Sequence, residues 1–127
     1  MTETIIYKIN KNYVKYSQLD IIKDISIITE YIEIYKSETY VYYYAVNYNN
    51  YNNDNYVVFT NERFMEINNG NIKIFYVDNI DKITFNENIH ILDKYGKNNI
   101  YYINDVNVCN MFKKLYNSSK NVIPSKL

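Results

Sequence analysis

Apolar side chains recur along this chain with two different periods. Ile21, Ile25, Ile28, Ile32 and Tyr35 follow one another at steps of four, three, four and three residues, which is the spacing of one stripe on an α-helix. Just ahead, Ser17-Gln18-Leu19-Asp20 has capping-box spacing, with Asp where Glu is usual. The pattern predicts a helix of at most about four turns. Its many isoleucines are stiff at χ1, so packing rather than intrinsic propensity is expected to hold it.

After Lys36-Ser37-Glu38 the period falls to two, and the density of β-branched and aromatic residues predicts strands. They fall at Thr39 to Val46, Tyr56 to Thr60, Arg63 to Ile67, Asn71 to Tyr76, Lys82 to Asn86, Ile89 to Leu92 and Ile100 to Ile103. The breaks between them carry turn chemistry, as in Asn68-Asn69-Gly70 and Lys94-Tyr95-Gly96-Lys97. They are too short for a parallel crossover, so sequential neighbours should be antiparallel. The low-complexity stretch Asn47 to Asn55 reads as an exposed hairpin loop.

Two weaker segments flank this region. Ile5 to Tyr13 alternates briefly, as a lead-in strand or arm would, and Asn104 or Asp105 can cap a last helix with the stripe Val108, Phe112 and Leu115, widened by Cys109 and Tyr116. The predicted order is helix, about seven antiparallel strands and a C-terminal capping helix, an α+β chain. Residues 1–38 form an arm and helix packed on the same domain, 39–117 the domain proper, and 118–127 a polar tail. The expected core is Ile25, Ile28, Ile32, Val58, Phe59, Ile83, Ile91, Phe112 and Leu115.

Composition narrows the function. With 127 residues, 47% of them hydrophobic, the chain fits one folded domain. Asn, Ile, Tyr and Lys abound, whereas Arg63, Ala45 and Pro124 are each the sole residue of their kind. That bias follows AT-rich codons, so the 17 tyrosines reflect a genome's base composition as well as chemistry. A low-GC bacterium, its phage, a giant virus or an AT-rich protist would fit.

Charge excludes one class. Fourteen basic and 14 acidic side chains cancel, whereas a nucleic-acid binder needs a concentrated cationic excess. Residues 1–70 hold 6 basic and 9 acidic groups and residues 71–127 hold 8 and 5, a polarity that could orient a partner without driving polyanion binding. No run of about 18 apolar residues could span a bilayer, and the N-terminus lacks the pattern of a secretory signal. A cytoplasmic chain is expected, in the host cytoplasm if it is viral.

Catalytic patterns are missing. There is no glycine-rich phosphate loop, nucleophile elbow or Cys/His metal spacing, so neither enzyme activity nor a cofactor is expected. His90, the sole histidine, lies between Ile89 and Ile91 and should face away from their core side. Cys109, the sole cysteine, leaves no internal disulfide and reads as core. The tyrosines are more informative: period two puts Tyr40, Tyr42 and Tyr44 on one face and Val41, Tyr43 and Ala45 on the other. The first three rings line up whichever face is buried, and if the Val41 face is the core they remain exposed as a row suited to a partner or to self-association.

One motif points to a family. Val58-Phe59-Thr60-Asn61-Glu62-Arg63 is an apolar strand ending in Thr-Asn-x-Arg, followed by a strand, a Gly-containing turn, Ile80-Asp81-Lys82-Ile83 and a final helix. This order resembles the bacterial pleckstrin-homology-like (GRAM-like) family over roughly residues 39–117. The resemblance implies a strongly bent antiparallel sheet or partly open barrel, closed at one end by the C-terminal helix, acting as a non-catalytic binding or interaction module. Thr60 and Asn61 should make a tight corner across which Arg63 reaches a carbonyl or carboxylate, a structural role. The family's phosphoinositide sites need convergent cations near the first hairpin. Here that hairpin has no basic residue and contains Asp54, so lipid binding of that kind is not expected. Protein recognition or self-association is the leading expectation. The alternatives are a small-ligand domain and a viral or phage protein that blocks a host component.

Overall fold

The structure, a computed structural model, describes residues 4–10, 13–15, 18–46 and 55–121. The elements in chain order are β1 (Ile5–Asn10), β2 (Tyr13–Lys15), α1 (Gln18–Tyr31), β3 (Tyr40–Ala45), β4 (Tyr56–Thr60), β5 (Arg63–Asn68), β6 (Asn71–Tyr76), β7 (Ile80–Phe85), β8 (Ile89–Asp93), β9 (Asn98–Tyr101) and α2 (Val106–Asn121). The chain is α+β, with the strands divided between two sheets that do not close into a barrel.

The larger sheet has the order β2-β1-β3-β4-β5-β6, and the smaller one the order β7-β8-β9. This corrects the expectation of one continuous sheet. A 3₁₀ turn at Val77–Asn79 separates β6 from β7, and the Val77 amide bonds the Glu62 carbonyl at 2.8 Å, which turns the chain off the edge of the larger sheet. Sequential strands from β3 onward pair antiparallel within each sheet, as their short connections require. β1, however, runs parallel to β3, with Tyr7 opposite Tyr42, because the connection between them contains α1 and is long enough to cross over.

The larger sheet is covered on both faces, and the period of two assigns its side chains to separate cores. On one face Ile28 and Ile32 pack on Val41, Tyr43, Tyr56, Val58, Met65 and Ile67. On the other, Val57, Phe59, Phe64 and Phe75 meet Ile89, Ile91 and Tyr101 of the smaller sheet and Val108, Cys109, Phe112 and Tyr116 of α2. Every residue of β4 is therefore buried. Of the expected core, Ile28, Ile32, Val58, Phe59, Ile91 and Phe112 are buried, while Ile25, Ile83 and Leu115 are half-buried at its margins.

The helix ends differ from the sequence pattern. α1 stops at Tyr31 although the stripe continues to Tyr35, because the Tyr35 amide donates to the Glu38 carboxylate at 2.8 Å and the Glu38 amide returns to the Tyr35 carbonyl at 3.0 Å. α2 begins with Asp105 as its cap, whose Oδ1 accepts the Val108 amide at 3.0 Å. It continues through Asn121, so residues 118–121, expected in a polar tail, are helical. β9 ends at Tyr101, two residues before the expected Ile103, because the Ile103 and Asn104 amides are both taken by Asn88 Oδ1. Ser17 of the capping box, the loop over 47–54 and the tail over 122–127 lie outside the described residues.

Candidate functional site

The tyrosine row of β3 is built by strand alternation. Val41 and Tyr43 turn under α1 and are fully buried, which sends Tyr40, Tyr42 and Tyr44 to the α2 side. α2 covers that side only in part. Tyr40 is 45% exposed, whereas Tyr42 and Tyr44 are half-buried against the core. The parallel pairing of β1 with β3 brings in a third ring: Tyr7 stacks on Tyr42 with centroids 5.1 Å apart, and Tyr42 on Tyr40 at 6.4 Å.

Between this stack and the last turns of α2 lies a groove of about 480 Å³. Tyr40 and Tyr42 line it on one side and Leu115, Ser118 and Ser119 on the other, with Phe59 and Asn61 completing it. Burial, then the neighbouring Tyr7 and Tyr40 phenols, push the Tyr42 hydroxyl above its ordinary value, so it stays protonated as a hydrogen-bond donor. The groove thus offers ring faces, an aliphatic wall and a few neutral polar groups. Tyr44 is placed differently, toward Asp105 and Cys109, and the groove does not include it.

The Thr60-Asn61-Glu62-Arg63 corner abuts this groove through Asn61, whose Oδ1 accepts the Thr39 amide at 2.9 Å and whose Nδ2 donates to the Ser37 carbonyl at 3.0 Å. Thr60 Oγ1 accepts the Glu62 and Arg63 amides at 3.1 Å and donates to Glu38. Arg63, 1% exposed, donates from Nε and Nη2 to the two oxygens of Glu38, each at 2.8 Å, and from Nη2 also to the Glu33 carbonyl. Its guanidinium carbon sits 4.1 Å from the centroid of the Tyr35 ring. Burial alone would raise the Glu38 carboxyl, but bonds from Arg63, Thr60 and the Tyr35 amide outweigh it and hold the group below the usual carboxylate range. Through these bonds Arg63 ties the end of α1 to the sheet.

His90 and Cys109 are not brought together. His90 is exposed on the outer face of the smaller sheet, opposite Thr84 and Ile100, whereas Cys109 is wholly buried on the inner side. Among the described residues no group of three or more His, Cys, Asp or Glu side chains could hold a metal ion, and no helix is long and apolar enough to cross a membrane.

Besides Glu38, two carboxylates escaped the sequence reading. Asp24 of α1 accepts from Lys8 Nζ at 3.0 Å and from the Tyr43 and Tyr56 hydroxyls at 2.7 and 3.2 Å, tying the helix to β1, β3 and β4. Glu66, 3% exposed, shares the inner face of β5 with Phe64 and lies 3.4 Å from Lys73 Nζ, which donates to Asn99 of the smaller sheet at 3.1 Å. Burial pushes its carboxyl up, and the opposing pull of Lys73 and the Tyr102 amide does not cancel that. A charged residue at an inward position of an apolar strand was the available signal for Glu66; Asp24 fell among helix positions with no such contrast. Compared with protein-family models, with curated proteins and with solved structures, the chain matches none.

Proposed function

We propose that this chain is a non-catalytic binding module of pleckstrin-homology-like type that recognises a protein partner through the groove between Tyr40, Tyr42 and α2. The groove carries the reading: a partly exposed ring stack facing Leu115 provides large, rigid contact area at low entropic cost, with Tyr hydroxyls to orient a partner. Support for the family type comes from the order of elements, since β3 to β6 form one antiparallel meander, β7 to β9 a second, and α2 follows. About seven antiparallel strands followed by a final helix are what the resemblance over residues 39–117 implies.

A small molecule is the second reading, favoured by the groove's volume, which lies within the roughly 300–1,000 Å³ range of ligand pockets. Native mass spectrometry of the tagged protein, recovered gently from its own host, separates the two. A second polypeptide lost on joint Tyr40→Ser and Tyr42→Ser replacement supports the protein reading. An added mass of a few hundred daltons moves the assignment to a small ligand, and a second polypeptide retained by the double variant removes the groove from the interface.

A further inference from the structure

We propose a second binding site, an open strand edge at β6 that accepts an extended acidic peptide segment as an added strand. β6 is the last strand of the larger sheet. Asn69 and Gly70, both at positive φ, form the two-residue turn of the β5–β6 hairpin, so Asn68 and Asn71 make its first hydrogen-bonded pair. Alternation along an antiparallel ladder then puts Glu66 opposite Lys73 and Phe64 opposite Phe75 in the next such pairs. The N–H and C=O groups of Ile72 and Ile74 consequently point off the edge, as does the Tyr76 N–H, whereas the Tyr76 carbonyl is taken by the 3₁₀ turn that follows. The side chains of Ile72, Ile74 and Tyr76 form a stripe on the α1 face of the sheet, alongside Met65 and Ile67, and each of the three residues is 40% exposed.

This edge faces the smaller sheet. It borders a cleft of about 320 Å³ whose far wall is the β8–β9 hairpin, with Asp93, Tyr95, Lys97 and Asn99. Main-chain groups on one side, amide and charged side chains on the other and a narrow gap between them suit a single extended chain. A second copy fits less well, since its own β6 would arrive with its own hairpin wall alongside. Charge selects the occupant further. Asp93 Oδ1 is turned into its own hairpin, where it accepts the Tyr95 and Lys97 amides at 2.9 and 2.8 Å. The cations lining the cleft are the ammonium of Lys97 and that of Lys73, which lies 3.4 Å from Glu66 and donates to Asn99 while its side chain stays 41% exposed. The complementary segment alternates apolar residues, set against Ile72 and Ile74, with acidic ones set against the two lysines.

The test is selection of random ten-residue displayed peptides on the full chain, followed by fluorescence anisotropy with the strongest binder as a synthetic peptide. Recovered sequences should alternate apolar and acidic residues. Binding should weaken at least tenfold in Ile74→Pro, which removes an outward-pointing N–H and leaves the β5 ladder intact. Lys97→Glu should have a similar effect, and being a substitution in an exposed turn it carries the test alone if Ile74→Pro does not fold by circular dichroism. Tyr40→Ser should leave binding unchanged. The proposal is overturned if no binder is recovered, if binders lack the acidic alternation, or if folded variants bind as before. It is also overturned if light scattering finds a dimer that Ile74→Pro dissociates, which would give the edge to a second copy.

Discussion

Arg63 and Glu38, 25 positions apart in sequence, form a two-point ion pair whose side chains are 2% and 0% exposed. The pair fastens the end of α1 and the following turn to the corner between β4 and β5. Planar guanidinium geometry is what lets one residue bond both oxygens, so lysine is not an equivalent.

Removing either partner leaves a buried charge without compensation. Arg63→Ala and Glu38→Gln should each destabilise the fold by about 3–5 kcal/mol. Arg63→Lys should recover only part of that. Urea denaturation midpoints check all three, and a loss below about 1 kcal/mol would mean that the pair is solvated.

Glu38 and Glu66 should make opposite contributions to pH-dependent stability. The Glu38 carboxyl is lower in the folded chain than in the unfolded one, so its contribution is present above the unfolded value of about 4.3 and is lost as pH falls through the folded value. The Glu66 carboxyl is higher when folded, because of burial, so its contribution is present at low pH and declines as pH rises through the folded value. Denaturation from pH 4 to 8 should show a decline in stability with rising pH that Glu66→Gln reduces. If Glu66→Gln leaves the profile unchanged, Glu66 is solvated in the folded chain.

The Cys109 thiol should be inert in the native protein. It is fully buried, and burial, followed by Asp105 and Glu87, pushes its pKa up to about 12. A thiol-specific colorimetric reagent should react with no cysteine in the folded chain and with one per chain in denaturant. Rapid native labelling would indicate local opening of α2.

Asp105→Ala should cost roughly 1 kcal/mol through loss of the α2 cap. Because Val108 and Cys109 immediately inside that cap are core residues, amide exchange in the first turn should quicken along with the loss of stability. Unchanged exchange would mean that packing alone fixes the helix start.

Local chemistry made some features legible and long-range pairing hid others. The Thr60-Asn61 corner and the strands on either side of it follow from turn residues between apolar alternations, and the α2 cap was narrowed to Asn104 or Asp105, of which Asp105 takes the role. Glu38 was not identifiable as the partner of Arg63. It sits in a short polar break, and its role depends on a contact across 25 positions that no period encodes. For the same reason the periodic stripe overran the true end of α1, since the Glu38 carboxylate takes the Tyr35 amide. The parallel pairing of β1 with β3 likewise reflects the crossover through α1, whereas the pattern of Ile5 to Tyr13 carried no register information. At the groove, sequence placed three tyrosines on one face, but only packing by α2 decided that Tyr40 and Tyr42 line it and Tyr44 does not.

The larger sheet acts as a partition. Val58 and Met65 answer only to the α1 side, Phe59 and Phe64 only to the α2 side, and no side chain belongs to both clusters. Volume changes should therefore relax within one layer: paired substitutions on the same side would couple, and pairs across the sheet would add independently. Over generations each half could repack at its own pace, with the backbone of β4 as their common boundary.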